Sequence, residues 1–154
     1  MPKHSETRAL PYSAAQMFDL VADVERYDEF LPWIQATRVL SCEANVVTAE
    51  LVVGFKMVRE RFTSRVTLDR PQRIHVDYIS GPLRYLKNDW VFRDTPKGCE
   101  IDFTVDFEFR NFLFERLAGA FFGEAFRRMV ASFEARARTV YGIAGGTGAL
   151  PSTA

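Results

Sequence analysis

At 154 residues the chain fits one domain, because single cores divide only beyond roughly 250 to 300 residues. Twenty basic residues balance twenty acidic ones, so no global field draws the chain to a phosphate backbone, and no DNA partner is expected. A composition 47% hydrophobic and 26% charged excludes disorder, and fourteen phenylalanines against two histidines and two cysteines favour an apolar interior over acid–base or metal chemistry.

The opening MPKHSETRALPYS lacks both the apolar stretch of a secretory signal and the Arg-rich amphipathic pattern of a mitochondrial leader. With no run of about 18 apolar residues to cross a membrane, the expectation is a cytoplasmic, bacterial protein. After a short segment around Glu6 to Leu10, Ser13 sits three residues before Gln16, with Tyr12 and Met17 placed to pack across the start. This capping box and hydrophobic staple predict a helix carrying Met17, Phe18, Leu20 and Val21. A second short helix runs from about Val24 to Leu31, where Pro32 ends it.

From Trp33 onward the period shortens to two. Val47, Ala49, Leu51, Val53, Phe55 and Met57 alternate with Thr48, Glu50, Val52, Gly54 and Lys56, as in a half-buried strand. Phe62, Val66 and Leu68 face inward while Arg59, Arg61, Thr63, Arg65 and Thr67 face out. Ile74, Val76 and Tyr78 alternate with Arg73, His75 and Asp77, and Pro71-Gln72 and Gly81-Pro82 mark turns. Cys99, Ile101, Phe103, Val105, Phe107 and Phe109 alternate with Glu100, Asp102, Thr104, Asp106 and Glu108. Six or seven strands at hairpin spacing imply one antiparallel sheet with a single apolar face.

Asn111 then caps a long helix that runs to about Tyr141, where Gly142 stops it. Its apolar positions, from Phe114 through Phe121, Phe122, Phe126, Met129 and Phe133 to Val140, cover an arc of roughly 200°, wider than the ~100° stripe of a surface helix. Such a helix is expected to bury more than one side, with Arg116, Arg127, Glu134 and Arg138 on its polar face and Arg136 and Glu115 obliged to snorkel or pair. Gly119 and Gly123 each cost about 1 kcal/mol in a helix interior, which points to a close approach or a bend, with fraying near the helix start as the alternative. Residues 1–141 form a single domain on this reading, and the Gly-rich remainder, 142–154, a flexible tail.

A curved sheet wrapped on a long helix encloses volume, which composition alone favours as packed core and which the wide arc of the last helix moves toward a ligand cavity. Catalytic signals are thin: there is no nucleophile motif, zinc-helix motif or phosphate loop. His4 falls in the N-terminal segment and is expected to be mobile, His75 faces outward, and Cys42 and Cys99 read as buried small apolar groups. The acidic residues Asp23, Glu25, Asp28 and Glu29, and Glu100, Asp102, Asp106 and Glu108, are better matched to cross-strand pairing with Arg59, Arg61, Arg65 or Arg73 than to a cation cage. Parity back from Trp90 and Phe92 brings Asn88 and Leu86 to the inner face. An inward amide must then bond backbone, water or a ligand carbonyl, and Tyr78 and Ser64 pose the same question.

Four blocks carry a resemblance: DVERYDEFLPWI from Asp23, ELVVGFKMVRERFTSRV from Glu50, GPLRYLKNDWVF from Gly81 and CEIDFTVDFEFRNFLFERLAG from Cys99. In that order, and over residues 3 to about 141, they resemble the coenzyme Q-binding family of the START-like, polyketide-cyclase-like superfamily. That family also includes bacterial members named as ribosome association toxins. Its members usually carry cysteine after the Leu-Pro-Trp triplet, where this chain has Ile34.

The resemblance implies an α+β helix-grip fold, a curved antiparallel sheet of six or seven strands around a long C-terminal helix, with two short helices after the first strand. It implies an apolar tunnel that binds ubiquinone or a related polyprenyl quinone as ligand, not as a cofactor of catalysis. The protein would then be a lipid chaperone for respiratory electron transport and quinone biosynthesis, not an enzyme, and would touch the inner membrane surface transiently. Strand parity and helix angle give the expected lining as Phe55, Phe62, Tyr78, Asn88, Trp90, Phe103, Phe107, Phe122, Phe126 and Met129, with Asn88 or Tyr78 donating to a quinone oxygen. The Phe30-Leu31-Pro32-Trp33 segment either forms a rim or staples the short helix to the sheet. Two alternatives stand beside the carrier. One is a ribosome-binding surface using Arg59, Arg61 and Arg65 or Arg127, Arg128 and Arg138; the other is a cyclase-like enzyme that acts by positioning.

Overall fold

The computed structural model describes residues 3–55 and 58–142, without the side chains of residues 55, 58, 118, 121 and 122. The placements expected for Phe55 and Phe122, the inward position of Met57 and the tail from residue 143 lie outside the described residues. Seven strands form one antiparallel sheet: β1 (Lys3–Leu10), β2 (Ile34–Glu43), β3 (Val46–Phe55), β4 (Val58–Asp69), β5 (Arg73–Ser80), β6 (Leu83–Thr95) and β7 (Gly98–Phe109). Their order across the sheet is β1-β7-β6-β5-β4-β3-β2, so the first strand lies beside the last. Helix α1 (Ala14–Ala22) and a 3-10 helix (Val24–Glu29) connect β1 to β2, and α2 (Phe112–Tyr141) closes the domain.

Local chemistry sets the helix boundaries. The Ser13 side chain accepts from the Gln16 N–H at 3.1 Å while the Gln16 side chain accepts from the Ser13 N–H at 2.9 Å, satisfying two donors that the helix start would otherwise leave open. At α2, Asn111 Oδ1 accepts from the N–H groups of Leu113 and Phe114 at 2.8 and 3.2 Å. The helix ends at Gly142, whose φ of +86° suits a residue without Cβ. The segment after α1 is tighter and shorter than expected, because it winds as 3-10 helix and stops at Glu29, three residues before Pro32.

The packed core sits under α1 and the C-terminal half of α2. Phe18, Met17, Val21, Ile74 and Cys99 are fully buried, and the Phe18 and Phe92 rings meet edge to face at 5.5 Å. Phe133 and Ala137 supply the share of α2. That end of α2 is tied down by polar contacts: Tyr141 Oη donates to the Gln16 carbonyl at 2.7 Å, Tyr12 Oη donates to the Gly142 carbonyl at 2.8 Å, and Arg8 pairs with Glu134. Arg136, expected to pair or snorkel, does both, reaching Glu29 at 2.7 Å and lying 4.9 Å from the centre of the Phe30 ring.

The first half of α2 corrects the expectation of a helix buried on more than one side. Leu117 of the predicted arc is 38% exposed, and Phe112 and Leu113 just outside that arc are 70% and 66% exposed, because this half stands away from the sheet. Nor does close approach explain the two glycines: a Cβ on Gly119 would meet nothing within 4 Å, and one on Gly123 only the end of Arg127 at 3.5 Å. His4 is not mobile but paired with Val105 in β1, its ring against that of Phe126. Cys42 is exposed near the end of edge strand β2, whereas Cys99 is buried, and burial beside Asp94 pushes the Cys99 thiol up to about 11.

The acidic strand residues do pair across strands, but with arginines of β6 in place of the partners expected. Arg93 reaches Glu100 at 3.0 Å and also Asp102, and Arg84 reaches Glu108 at 3.4 Å, since β6 is the neighbour of β7. Of the predicted partners, Arg73 pairs with Asp89 at 2.6 Å. His75 stands between Asp89 and Asp77 at 2.8 and 3.0 Å, and the Asp89 hydrogen bond raises its pKa, burial opposing and Asp77 adding. Among the described residues no group of three or more His, Cys, Asp or Glu side chains is placed to hold a metal ion.

Candidate ligand-binding cavity

Where the first half of α2 stands off the sheet, a cavity of about 400 Å³ opens between them. The inward parity of the strands builds its floor: Val53 of β3, Phe62 of β4, Leu83 and Leu86 of β6, and Phe103, Val105, Phe107 and Phe109 of β7. Phe114, Leu117, Ala125, Phe126 and Met129 of α2 form the roof, at helical spacing along one face. Leu31, Pro32, Trp33 and Ile34 close one side. Rings meet mostly edge to face, Phe107 with Phe109 at 5.8 Å and Phe109 with Phe114 at 5.8 Å, which holds the wall without filling the space.

A second cleft of about 40 Å³, lined by Trp90 and Phe133 together with the charged Glu6, Arg8 and Glu134, shares Phe103, Phe126 and Met129 with the main cavity. Trp90 meets Phe103 at 4.6 Å and 73°, and Phe103 meets Phe126 at 5.1 Å. The lining of the main cavity is apolar apart from Glu60, its one charged side chain among the described residues.

Of the residues expected to line a tunnel, the structure brings Phe62, Phe103, Phe107, Phe126 and Met129 together around the main cavity and puts Trp90 in the cleft. Tyr78 and Asn88 are corrections. The Tyr78 hydroxyl accepts from the Leu83 N–H at 2.9 Å, bracing the turn at Gly81, and does not reach the cavity. The Asn88 amide donates to the Thr104 carbonyl at 2.8 Å and accepts from the Trp90 indole at 3.1 Å, so both ends are engaged within the sheet and it does not line the cavity.

The Phe30–Trp33 segment divides the two roles considered for it. Phe30 turns to the core, edge to face with Phe133 at 5.4 Å, and acts as the staple. Leu31, Pro32 and Trp33 line the cavity, with Trp33 in the left-handed region at φ +70° and the Arg128 guanidinium 5.3 Å above its ring. Period-two reading missed Glu60, although Glu60 and Phe62 share a face of β4. The apolar arc of α2 likewise held the signal for Leu117 and Ala125.

A family model described as polyketide cyclase/dehydrase and lipid transport matches residues 10–134, most of the chain. The chain belongs to that family. Within the polyketide cyclase and lipid transport family it is 39% identical over 145 residues to a mitochondrial coenzyme Q-binding protein of Xenopus laevis. That match covers 91% of this chain and 59% of the relative, so the chain spans about three fifths of its length. It is 38% identical over 142 residues to the ribosome association toxin of Escherichia coli, covering 92% of this chain and 90% of the relative.

Among solved structures of the fold, an 18 kDa protein of Caulobacter crescentus aligns at a TM-score of 0.75 with 35% identity, covering 93% of this chain and 100% of that one. A Streptomyces aromatase/cyclase aligns at 0.79 with 17% identity, covering 96% and 99%, a likeness of fold alone. These neighbours and the seven-stranded sheet around α2 agree with the helix-grip architecture expected from the sequence.

Proposed function

We propose that the protein binds ubiquinone or a related polyprenyl quinone in the cavity under α2 and carries it as a lipid chaperone for respiratory electron transport and quinone biosynthesis. The observation that carries this reading is the cavity itself, about 400 Å³ of space walled by phenylalanine and aliphatic side chains in a domain that could have packed shut. Its volume lies in the range of small-molecule pockets, and a flat, apolar-faced quinone ring suits edge-to-face aromatic walls. Since Tyr78 and Asn88 lie outside the lining, the aromatic and aliphatic walls supply the packing on the ring in this reading. The isoprenoid tail leaves past Leu117, and the exposed Phe112 and Leu113 continue the apolar surface outward, where a bilayer would meet it. The relationship to a coenzyme Q-binding protein supports the same ligand class. A single titratable side chain on the described wall supplies no acid–base pair, which favours carriage over a cyclase-like reaction.

Native mass spectrometry with lipid extraction, on protein purified from a quinone-producing host, tests the proposal. A copurifying polyprenyl quinone that is lost in a folded Met129→Glu variant is the expected result. Protein that is empty and takes up no added quinone in detergent overturns it.

A second reading rests on the bacterial relatives named as ribosome association toxins. Arg59, Arg61 and Arg65 lie exposed along the outer face of β4, Arg61 only loosely engaged with Glu50 at 3.9 Å, and would meet RNA phosphate without involving the cavity. Ribosome cosedimentation that falls with salt and persists in Met129→Glu would favour it.

A further inference from the structure

Glu60 stands on β4 opposite Val53 of β3, which in turn stands opposite Ile34 of β2, and all three side chains line the cavity. The carboxylate therefore ends an apolar strip that crosses three strands. Its sequence neighbours Arg59 and Arg61 alternate to the outer face, and among the described residues Glu60 takes part in no ion pair or hydrogen bond. Five other carboxylates of the sheet, Glu50, Asp89, Glu100, Asp102 and Glu108, each face an arginine. A half-buried carboxylate on an otherwise apolar wall is placed to meet what enters the cavity.

The chemistry of the group selects among headgroups. An ionised carboxylate accepts hydrogen bonds and donates none. An oxidised quinone ring presents carbonyl oxygens, which also only accept, so the two face each other without a shared proton. The two-electron-reduced hydroquinone presents two phenolic O–H donors on the same flat ring. We infer that the cavity selects the hydroquinone form of its prenyl lipid, with one phenolic O–H donating to the Glu60 carboxylate. The inference rests on the carrier reading above and adds to it the redox state of the cargo. A hydrogen bond to a charged acceptor in an otherwise apolar site is worth tenfold or more in affinity.

Equilibrium dialysis under anaerobic conditions tests this with three probes: decylubiquinone, its borohydride-reduced hydroquinone, and the dimethyl ether of that hydroquinone, which keeps the ring electronics and lacks the donors. The expected result is that the hydroquinone binds at least tenfold more tightly than the quinone, with the ether as weak as the quinone. In Glu60→Gln, a near-isosteric change checked for folding by its melting curve, the quinone and hydroquinone come within threefold of each other. Equal binding of both forms by the unaltered protein overturns the selection while leaving the carrier reading in place. So does a preference that survives Glu60→Gln, or an ether that binds like the hydroquinone. Failure of every probe to bind overturns both.

Discussion

Met129→Glu separates the cavity from the fold. Met129 lines both the main cavity and the second cleft. In the empty protein a carboxylate there does not face packed hydrocarbon, because about 400 Å³ beside it has room for on the order of ten waters at roughly 30 Å³ each. The charge stays hydrated and the fold loses mainly the methionine's packing, about 1–2 kcal/mol, or roughly 2–8 °C in Tm for a domain of this size. Ligand binding is different, since a ring and tail must expel that water and leave the charge against apolar atoms. Several kcal/mol are then lost, and affinity falls by about 100-fold or more. The two tryptophans report directly, Trp33 in the cavity wall and Trp90 in the cleft, so a bound quinone quenches both. The reasoning is refuted by a variant that melts within this range yet retains quenching at the ligand concentrations that saturate the unaltered protein.

Three further outcomes follow from the packing and the polar contacts. Phe18→Ala, at a ring 2% exposed, is expected to cost about 3–5 kcal/mol, whereas Phe107→Ala, whose ring already borders open space, costs about 1–2, a contrast that urea denaturation of the two variants measures. A thiol reagent should titrate one cysteine per native chain, Cys42, and two in denaturant, because Cys99 is 1% exposed with its thiol pushed up to about 11; two rapid equivalents in the native state would contradict the packing around Cys99. His75 is bound in its protonated form by Asp89 and Asp77, so its contribution is full below the ordinary histidine value near 6.5 and is lost as pH rises through the raised folded value. Because these groups are partly exposed, the effect is below about 1 kcal/mol, and His75→Asn should flatten the change in urea midpoint between about pH 6 and 8.

Period two in the strands and the capping signals at Ser13 and Asn111 made nearly all of the architecture readable, because these patterns depend on near neighbours alone. The site was readable only as far as parity reaches. Parity put Asn88 on the face of Leu86 and Trp90, but it cannot say that the Trp90 indole and the Thr104 carbonyl absorb the amide. The same parity contained Glu60, two residues before Phe62. Its charge hid it, since an apolar pattern is read by its apolar members. In α2, periodicity gave the width of the apolar arc but not which part meets the sheet, a cavity or solvent. That depends on where the helix is anchored, and the anchors, from Phe133 to Tyr141, engage residues far away in the chain.

The order of strands also bears on how the chain acquires its shape. Strands β3 to β7 each follow a hairpin and can pair with the strand just made, but β1 is seated against β7, with Lys3 opposite Asp106 and Leu10 opposite Cys99. During synthesis Lys3–Leu10 emerges before the other described strands and finds its partner last. Docking of β1 then brings Arg8 to Glu134 and His4 to Phe126, so the strand made first acts as the latch that joins sheet and long helix once the rest of the domain is in place.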